Sequence, residues 1–253
     1  MLKKRVVAVL ILRYGEVVQS VQFRHTNVIH KDPRFAVEYF SKWDADELII
    51  LDVTRTDEAR TRFLDALERV SRTCFVPIAA GGWLRSCADI EAVLARGADK
   101  VVINSEAVRR PAFVEEAARR FGSQCIVLGV DCRRDPAGTA LVFTDRGREA
   151  TGLRPAEWSR QAVDRGAGEI FLCSIDHDGM RGGYDLPLMR EVAGAVPVPV
   201  IAFGGASTAE HLAAGLREGG VDAVSAANVF HYSENSMRKM KRALLAMGLA
   251  VRR

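Results

Sequence analysis

The chain has 253 residues, 48% apolar and 27% charged, and Lys and Arg outnumber Asp and Glu by 36 to 32. This is ordinary composition for a globular α/β protein. The slight basic excess, much of it in Lys3, Lys4, Arg5 and in Arg238, Lys239, Lys241, Arg242, Arg252 and Arg253, is too scattered to form a nucleic-acid footprint, and apolar runs of about eight residues fall far short of the ~20 that a membrane-spanning helix needs.

From the N-terminus, a basic cluster runs into Val6-Val7-Ala8-Val9-Leu10-Ile11-Leu12 and then into the turn-like Arg13-Tyr14-Gly15-Glu16. With no small-residue cleavage site behind it, the run reads as a strand and not as a signal peptide. Further strand-type runs follow at 47–53, 77–80, 100–104, 125–131, 169–174, 200–203 and 223–226, the first being 5–12. Helical patterns lie between them at 57–71, 87–96, 110–121, 155–165, 186–194 and 208–218, with a last one at 235–247. The strand cores are continuously apolar, as in a parallel sheet covered by helices. Eight such units predict one (β/α)8 TIM barrel domain over residues 1–253, because the alternative open, doubly wound sheet lacks a GxGxxG after its first strand.

The chain also repeats itself. Asp46-Glu47-Leu48-Ile49-Ile50-Leu51-Asp52 resembles the segment from Gly168 to Ser174, 122 residues on. Pro77-Ile78-Ala79-Ala80-Gly81-Gly82 resembles Pro199-Val200-Ile201-Ala202-Phe203-Gly204-Gly205, and Gly97-Ala98-Asp99-Lys100 resembles Gly220-Val221-Asp222-Ala223. Two half-barrels from a duplicated ancestor account for this.

The C-terminal ends of barrel strands form the catalytic rim. There the first strand carries only Ile11, whereas the fifth ends in Asp131. The paired glycines Gly81-Gly82 and Gly204-Gly205 fall at equivalent strand ends, where exposed backbone N–H groups can hold phosphate; tight βα turns are the alternative reading. Ser174-Ile175-Asp176-His177-Asp178-Gly179 adds hydroxyl and carboxylate groups to the same rim. His177, a single loop histidine with no spaced partner, reads as exposed and inert. No metal-ligand spacing is visible. Five cysteines, Cys74, Cys87, Cys125, Cys132 and Cys173, show no CxxC spacing, so the expectation is a reduced cytoplasmic protein without disulfides, structural zinc or a cofactor.

These segments resemble, over essentially the whole chain, the cyclase subunit of imidazole glycerol phosphate synthase (the HisF family). The resemblance is carried by Asp46-Glu47-Leu48, Arg96-Gly97-Ala98-Asp99-Lys100-Val101, Phe121-Gly122-Ser123-Gln124, Arg165-Gly166-Ala167-Gly168-Glu169-Ile170, Ser174-Ile175-Asp176, Asp178-Gly179, Gly183-Tyr184-Asp185 and Val229-Phe230-His231. It implies a glutaminase docked on the N-terminal face of the barrel, with ammonia travelling through the core to a phosphorylated, sugar-type substrate at the C-terminal face. A charged ring that gates ammonia is carried onto Arg5, Glu47, Lys100 and Glu169; a salt-bridge cluster closing the barrel bottom is the simpler reading, and the two are compatible. Phosphate and substrate contacts are carried onto Gly81, Gly82, Asn104, Ser105, Asp178, Gly179, Gly204, Gly205, Ala227 and Asn228.

The rim departs from the family pattern. Its two acid/base aspartates map onto Ile11 and Asp131, so only Asp131 remains as a catalytic candidate. A substrate-holding lysine maps onto Gln19, the third glycine of the first phosphate turn onto Trp83, and a threonine onto Met180. Isoleucine cannot exchange a proton, and an indole in the glycine turn is expected to narrow or block the first anion site. A divergent branch of the family, associated with acetamidino-sugar formation on bacterial surface polysaccharides (the lipopolysaccharide O-antigen type) beside a glutaminase and a separate sugar amidotransferase, resembles Val9-Leu10-Ile11-Leu12 better. The resemblance therefore implies an ammonia-conducting barrel subunit for sugar amidation. The alternatives are the cyclase of histidine biosynthesis and a non-catalytic barrel that binds and activates a glutaminase.

Overall fold

In a computed structural model that describes residues 3–42, 44–54, 56, 59–231 and 237–252, the chain forms β1 (Arg5–Arg13), β2 (Glu16–Val21), β3 (His25–His30), α1 (Pro33–Lys42), β4 (Glu47–Asp52), α2 (Ala59–Ser71), β5 (Ile78–Gly81), α3 (Cys87–Leu94), β6 (Lys100–Ile103), α4 (Ser105–Arg109) and α5 (Ala112–Phe121). It continues as β7 (Ile126–Arg134), β8 (Ala140–Thr144), β9 (Glu149–Ala150), α6 (Pro155–Asp164), β10 (Glu169–Ser174), α7 (Leu186–Ala195), β11 (Val200–Phe203), α8 (Ala209–Arg217), β12 (Ala223–Ala226) and α9 (Met237–Ala246). Asp57 and Asn235, the expected starts of two helices, lie outside the described residues.

Eight strands pair in parallel in the order β10-β11-β12-β1-β4-β5-β6-β7, and β7 closes onto β10. The sheet is a closed (β/α)8 barrel, and its strands are the eight that the apolar runs predict. The half-barrels are β1-β4-β5-β6 and β7-β10-β11-β12. Each first strand is followed by an antiparallel hairpin that the sequence reading does not anticipate: β2–β3 on β1 through Leu12 and Val17, and β8–β9 on β7 through Asp131 and Phe143. Helices α1 and α4 are likewise unanticipated.

Side chains alternate along each strand, which produces two cores. Val7, Val9, Ile11, Ile49, Ala79, Val102, Val127, Phe171, Ile201 and Phe203 fill the barrel interior. Val6, Ala8 and Leu10 face outward and pack with the helices, among them Phe63, Leu67 and Phe113. Local signals set the helix starts: Ser86, Asp185 and Thr208 accept the Asp89, Leu188 and His211 backbone N–H groups at 3.2, 3.1 and 3.3 Å, satisfying amides that have no partner inside the helix. At the seam, buried Lys241 of α9 pairs with Asp46 at 2.6 Å, and Asp46 also accepts the Val6 N–H at 2.7 Å. The last helix is thus tied to the base of β1 and β4.

Candidate functional site

Arg5, Glu47, Lys100 and Glu169 are the first residues of β1, β4, β6 and β10, so the parallel sheet gathers them at the bottom of the barrel. Arg5 donates from Nη1 to Glu47 Oε2 at 2.6 Å and from Nη2 to Glu169 Oε1. Lys100 Nζ donates to Glu47 Oε1 at 3.0 Å and to Glu169 Oε2 at 2.8 Å. Each carboxylate gives one oxygen to the guanidinium and the other to the ammonium, closing a ring of alternating sign and no net charge. Burial alone would lower the pKa of Arg5 and of Lys100, but the two glutamates outweigh it and hold both cations above their ordinary values. The ring seals the bottom beneath the apolar interior.

At the opposite end the strand tips open into a chamber of about 430 Å³. Among its walls are Gly81, Gly82, Asn104, Ser105 and Asp131, which the sequence marks, together with Ile11. β1 and β7 lie four strands apart in the eight-membered order, so Ile11 and Asp131 face each other across the barrel. Ile11 is 4% exposed, within the inner core. Asp131 accepts a 2.7 Å hydrogen bond from Asn104 Nδ2. Burial raises its pKa to about 7 against that hydrogen bond, and the negative charge of Asp178 adds to the rise. A carboxyl with that pKa exchanges protons near neutrality, as general acid–base work requires. Asn104 Oδ1 is buried with no partner among the described residues.

Trp83 stands on this wall with φ 64°, the left-handed region in which a side chain is unfavourable and glycine is not. Its indole Nε1 donates to Asp52 Oδ2 at 2.5 Å, while Thr54 Oγ1 donates to Asp52 Oδ1 at 2.6 Å. Burial raises the Asp52 pKa despite these bonds. Asp52, at the tip of the strand next to β1, therefore joins the chamber as a second carboxylate, which no spacing in the sequence nominates. The preceding Gly82 (φ 123°) needs its missing Cβ, which would lie 2.9 Å from Asp52 Cβ and from the Asp52 carbonyl oxygen. Arginines dominate the remaining polar wall: Arg13, Arg24, Arg85, Arg109, Arg146 and Arg148 against Asp52, Glu106, Asp131 and Asp145. A cleft with that excess attracts anions. None of these arginines stands in a motif, and three of them, Arg24, Arg146 and Arg148, come from the tips of the unanticipated hairpins.

The second set of sequence-marked residues lies apart. Asp178, Gly179, Gly204, Gly205, Ala227 and Asn228 are not among the walls of this chamber. Asp178 is 3% exposed and accepts from Ser20 Oγ of β2 at 2.7 Å. Burial raises its pKa to about 6, opposed by that bond and by the Phe23 and Gln22 amides. Asn228 Nδ2 donates to the Ser20 carbonyl at 3.2 Å, and its Oδ1 is buried without a partner among the described residues. These contacts fasten the β2–β3 hairpin over the second half of the rim. Gly205 (φ 99°) could not carry a Cβ, which would fall 2.1 Å from the Gly183 carbonyl oxygen, so close backbone approach by itself accounts for glycine there. Ala227 belongs to the inner core. Gln19 is a half-buried residue of β2 outside the chamber wall, whereas its neighbour Ser20 is on it. Met180 is exposed. His177 departs from expectation: it is half-buried and its Nδ1 lies 2.8 Å from Ser174 Oγ. All five cysteines are free, and Cys173, on the chamber wall, has its thiol pKa raised by burial.

A parallel barrel with a charged bottom and an acid-bearing, anion-attracting rim is the architecture that the sequence resemblance implies. No helix among the described residues is long and apolar enough to cross a membrane. Residues 5–236 match the histidine biosynthesis protein family, a span that holds all eight barrel strands, the ring and the chamber. The chain belongs to that family.

Proposed function

We propose that this barrel is an ammonia-conducting subunit that docks a glutaminase at its N-terminal face and serves a glutamine-dependent synthase acting on a phosphorylated sugar, in acetamidino-sugar formation beside a separate sugar amidotransferase. The observation that carries the reading is the contrast along one strand: β1 keeps Arg5 in a complete four-membered ring at the bottom and presents Ile11 to Asp131 at the top. A two-residue acid/base pair across the barrel is therefore absent at the positions where the cyclase reaction requires it, while the entrance residues are all present. Phe75, in the loop that precedes β5 at the N-terminal end, is 89% exposed. An aromatic side chain exposed to water at this end of the barrel is the residue type that interfaces enrich, which supports a protein partner there. The side chains packed above the ring, among them Val7, Val9, Ile49 and Val127, are apolar, and a small neutral molecule would cross such a core at less cost than an ion.

A second reading is supported by Asp131 itself. A carboxyl with a pKa near 7 in a chamber is the usual condition of a working acid or base, which favours a barrel that does chemistry over one that only activates a glutaminase. Growth of a histidine auxotroph lacking its cyclase separates the histidine-pathway cyclase from the other readings, and ammonia-dependent turnover with a purified sugar amidotransferase separates the sugar-amidation subunit from a barrel that only activates a glutaminase. The chain is expected not to restore growth. Rescue by the unaltered chain at a normal rate would overturn the weight placed on Ile11.

A further inference from the structure

Arg146 stands at the tip of the β8–β9 hairpin, where Asp145, Arg146 and Gly147 have φ of 45°, 58° and 72°. Two non-glycine residues in the left-handed region are held there only when their surroundings fix them. Those surroundings belong to the other half-barrel. Arg146 Nη1 donates to the Val53 carbonyl just beyond β4, and the Asp145 amide donates to Ser105 Oγ at 3.1 Å at the start of α4. The hairpin of the second half thus reaches across the mouth and ends on the wall of the first.

The guanidinium delivered in this way is only half used. Its Nη2, which carries two N–H groups, is buried and meets no acceptor among the described residues. Asn104, also on the chamber wall, has a buried Oδ1 that meets no donor among the described residues. Buried polar groups without partners are costly and uncommon, charged donors most of all. One unsatisfied donor and one unsatisfied acceptor on the same cavity describe the complement they lack: an anion bearing a nearby O–H or N–H group. The glycine turn that could hold the anion with backbone amides has the Trp83 indole at its third position, fixed to Asp52.

We infer that Arg146 is the anion receptor of the chamber, taking one phosphate of a phosphorylated sugar while Asn104 Oδ1 accepts a neighbouring hydroxyl. The first anion site has then moved from the backbone of the Gly81-Gly82-Trp83 turn to side chains brought by the opposite hairpin. A guanidinium suits this task because it stays charged and offers a fixed fork to phosphate oxygens. This inference rests on the chamber being the ligand site proposed above.

Ribose 5-phosphate, with inorganic phosphate as the bare-anion control, is titrated into the full chain and followed by phosphorus NMR and calorimetry. Wild type binds the ester more tightly than phosphate, since only the ester offers Asn104 a hydroxyl. Arg146→Gln weakens binding of both by about tenfold or more, and Arg146→Lys, which keeps the charge but not the fork, falls between. Circular dichroism melts confirm that the variants fold; if Arg146→Gln does not, the Arg146→Lys result decides. Undiminished binding by a folded Arg146→Gln, or by Arg146→Lys in its place, sinks the assignment of Arg146 and leaves the chamber reading standing. No binding of either probe by wild type sinks the chamber reading itself, and the inference with it.

Discussion

At the bottom of the barrel Arg5, Glu47, Lys100 and Glu169 are enclosed, and each charge has two opposite charges beside it. At the rim Asp178 is buried and Asp52 and Asp131 are half-buried, but among the described residues their side chains meet Trp83, Thr54, Asn104 and Ser20 and no cation. The same physical cost, desolvation of a charge, is met in opposite ways. Mutual pairing lets the bottom groups keep their charges. Without it, the rim carboxyls rise in pKa toward neutrality. One end holds its groups in their charged forms, and the other shifts its carboxyls toward the neutral form.

The comparison breaks most visibly if one member of the ring is removed. Glu169→Ala leaves Arg5 and Lys100 sharing a single carboxylate, with one cation excess in a buried site. A loss of about 3–5 kcal/mol in unfolding free energy is expected, read from urea denaturation at neutral pH. Replacing all four by apolar residues of similar volume should cost far less, because no unpaired charge remains. If Glu169→Ala lost under about 1 kcal/mol, the ring would be acting as an exposed cluster and not as a sealed one.

The rim should answer to pH instead. Asp131 in the folded chain has a pKa of about 7, against an ordinary value near 3.9 in an unfolded one. Between those two values the folded state binds more protons than the unfolded state, so stability falls as pH rises through that window. Asp178, raised to about 6, adds to the same trend. Asp131→Asn removes the cost of ionising the buried group. It should stabilise the chain by roughly 2–4 kcal/mol at pH 8 and change little at pH 4, as urea midpoints at the two pH values will show. An equal effect at both would mean that Asp131 is not the titrating group.

The bottom was legible in the sequence and much of the rim was not, for a physical reason. The family resemblance singled out Arg5, Glu47, Lys100 and Glu169, and each begins a strand whose continuous apolar run, like those of all eight barrel strands, is visible in the sequence. Arg146 and Ser20 enter through hairpins only a few residues long. Ala140–Thr144 is partly exposed and its partner strand is two residues, too short to show alternation, although Asp145-Arg146-Gly147 does carry a turn signal. The glycine pairs were visible, but their cause was not. Gly205 answers to the Gly183 carbonyl, a tertiary neighbour that no local pattern announces. The link from Trp83 to Asp52 joins residues 31 apart and needed the parallel register of β4 and β5 to be seen.

Trp83 offers the finest test of how the rim was rebuilt. In an ordinary strand or helix, alanine is more stable than glycine by roughly 0.5–1 kcal/mol. At φ 64° the order should reverse, because a Cβ is penalised there by roughly 1–2 kcal/mol. Trp83→Gly and Trp83→Ala both lose the indole, its bond to Asp52 and its packing, so those losses cancel between the two variants. What remains is the backbone alone, and Trp83→Gly should be the more stable of the pair by about 1 kcal/mol in urea unfolding. An alanine variant equal to or better than the glycine one would show that the turn relaxes once the indole is gone, so that Trp83 imposes the left-handed conformation. The expected order would show the converse: the turn demands a glycine, and the chain bears the strain to place an aromatic ring against Asp52.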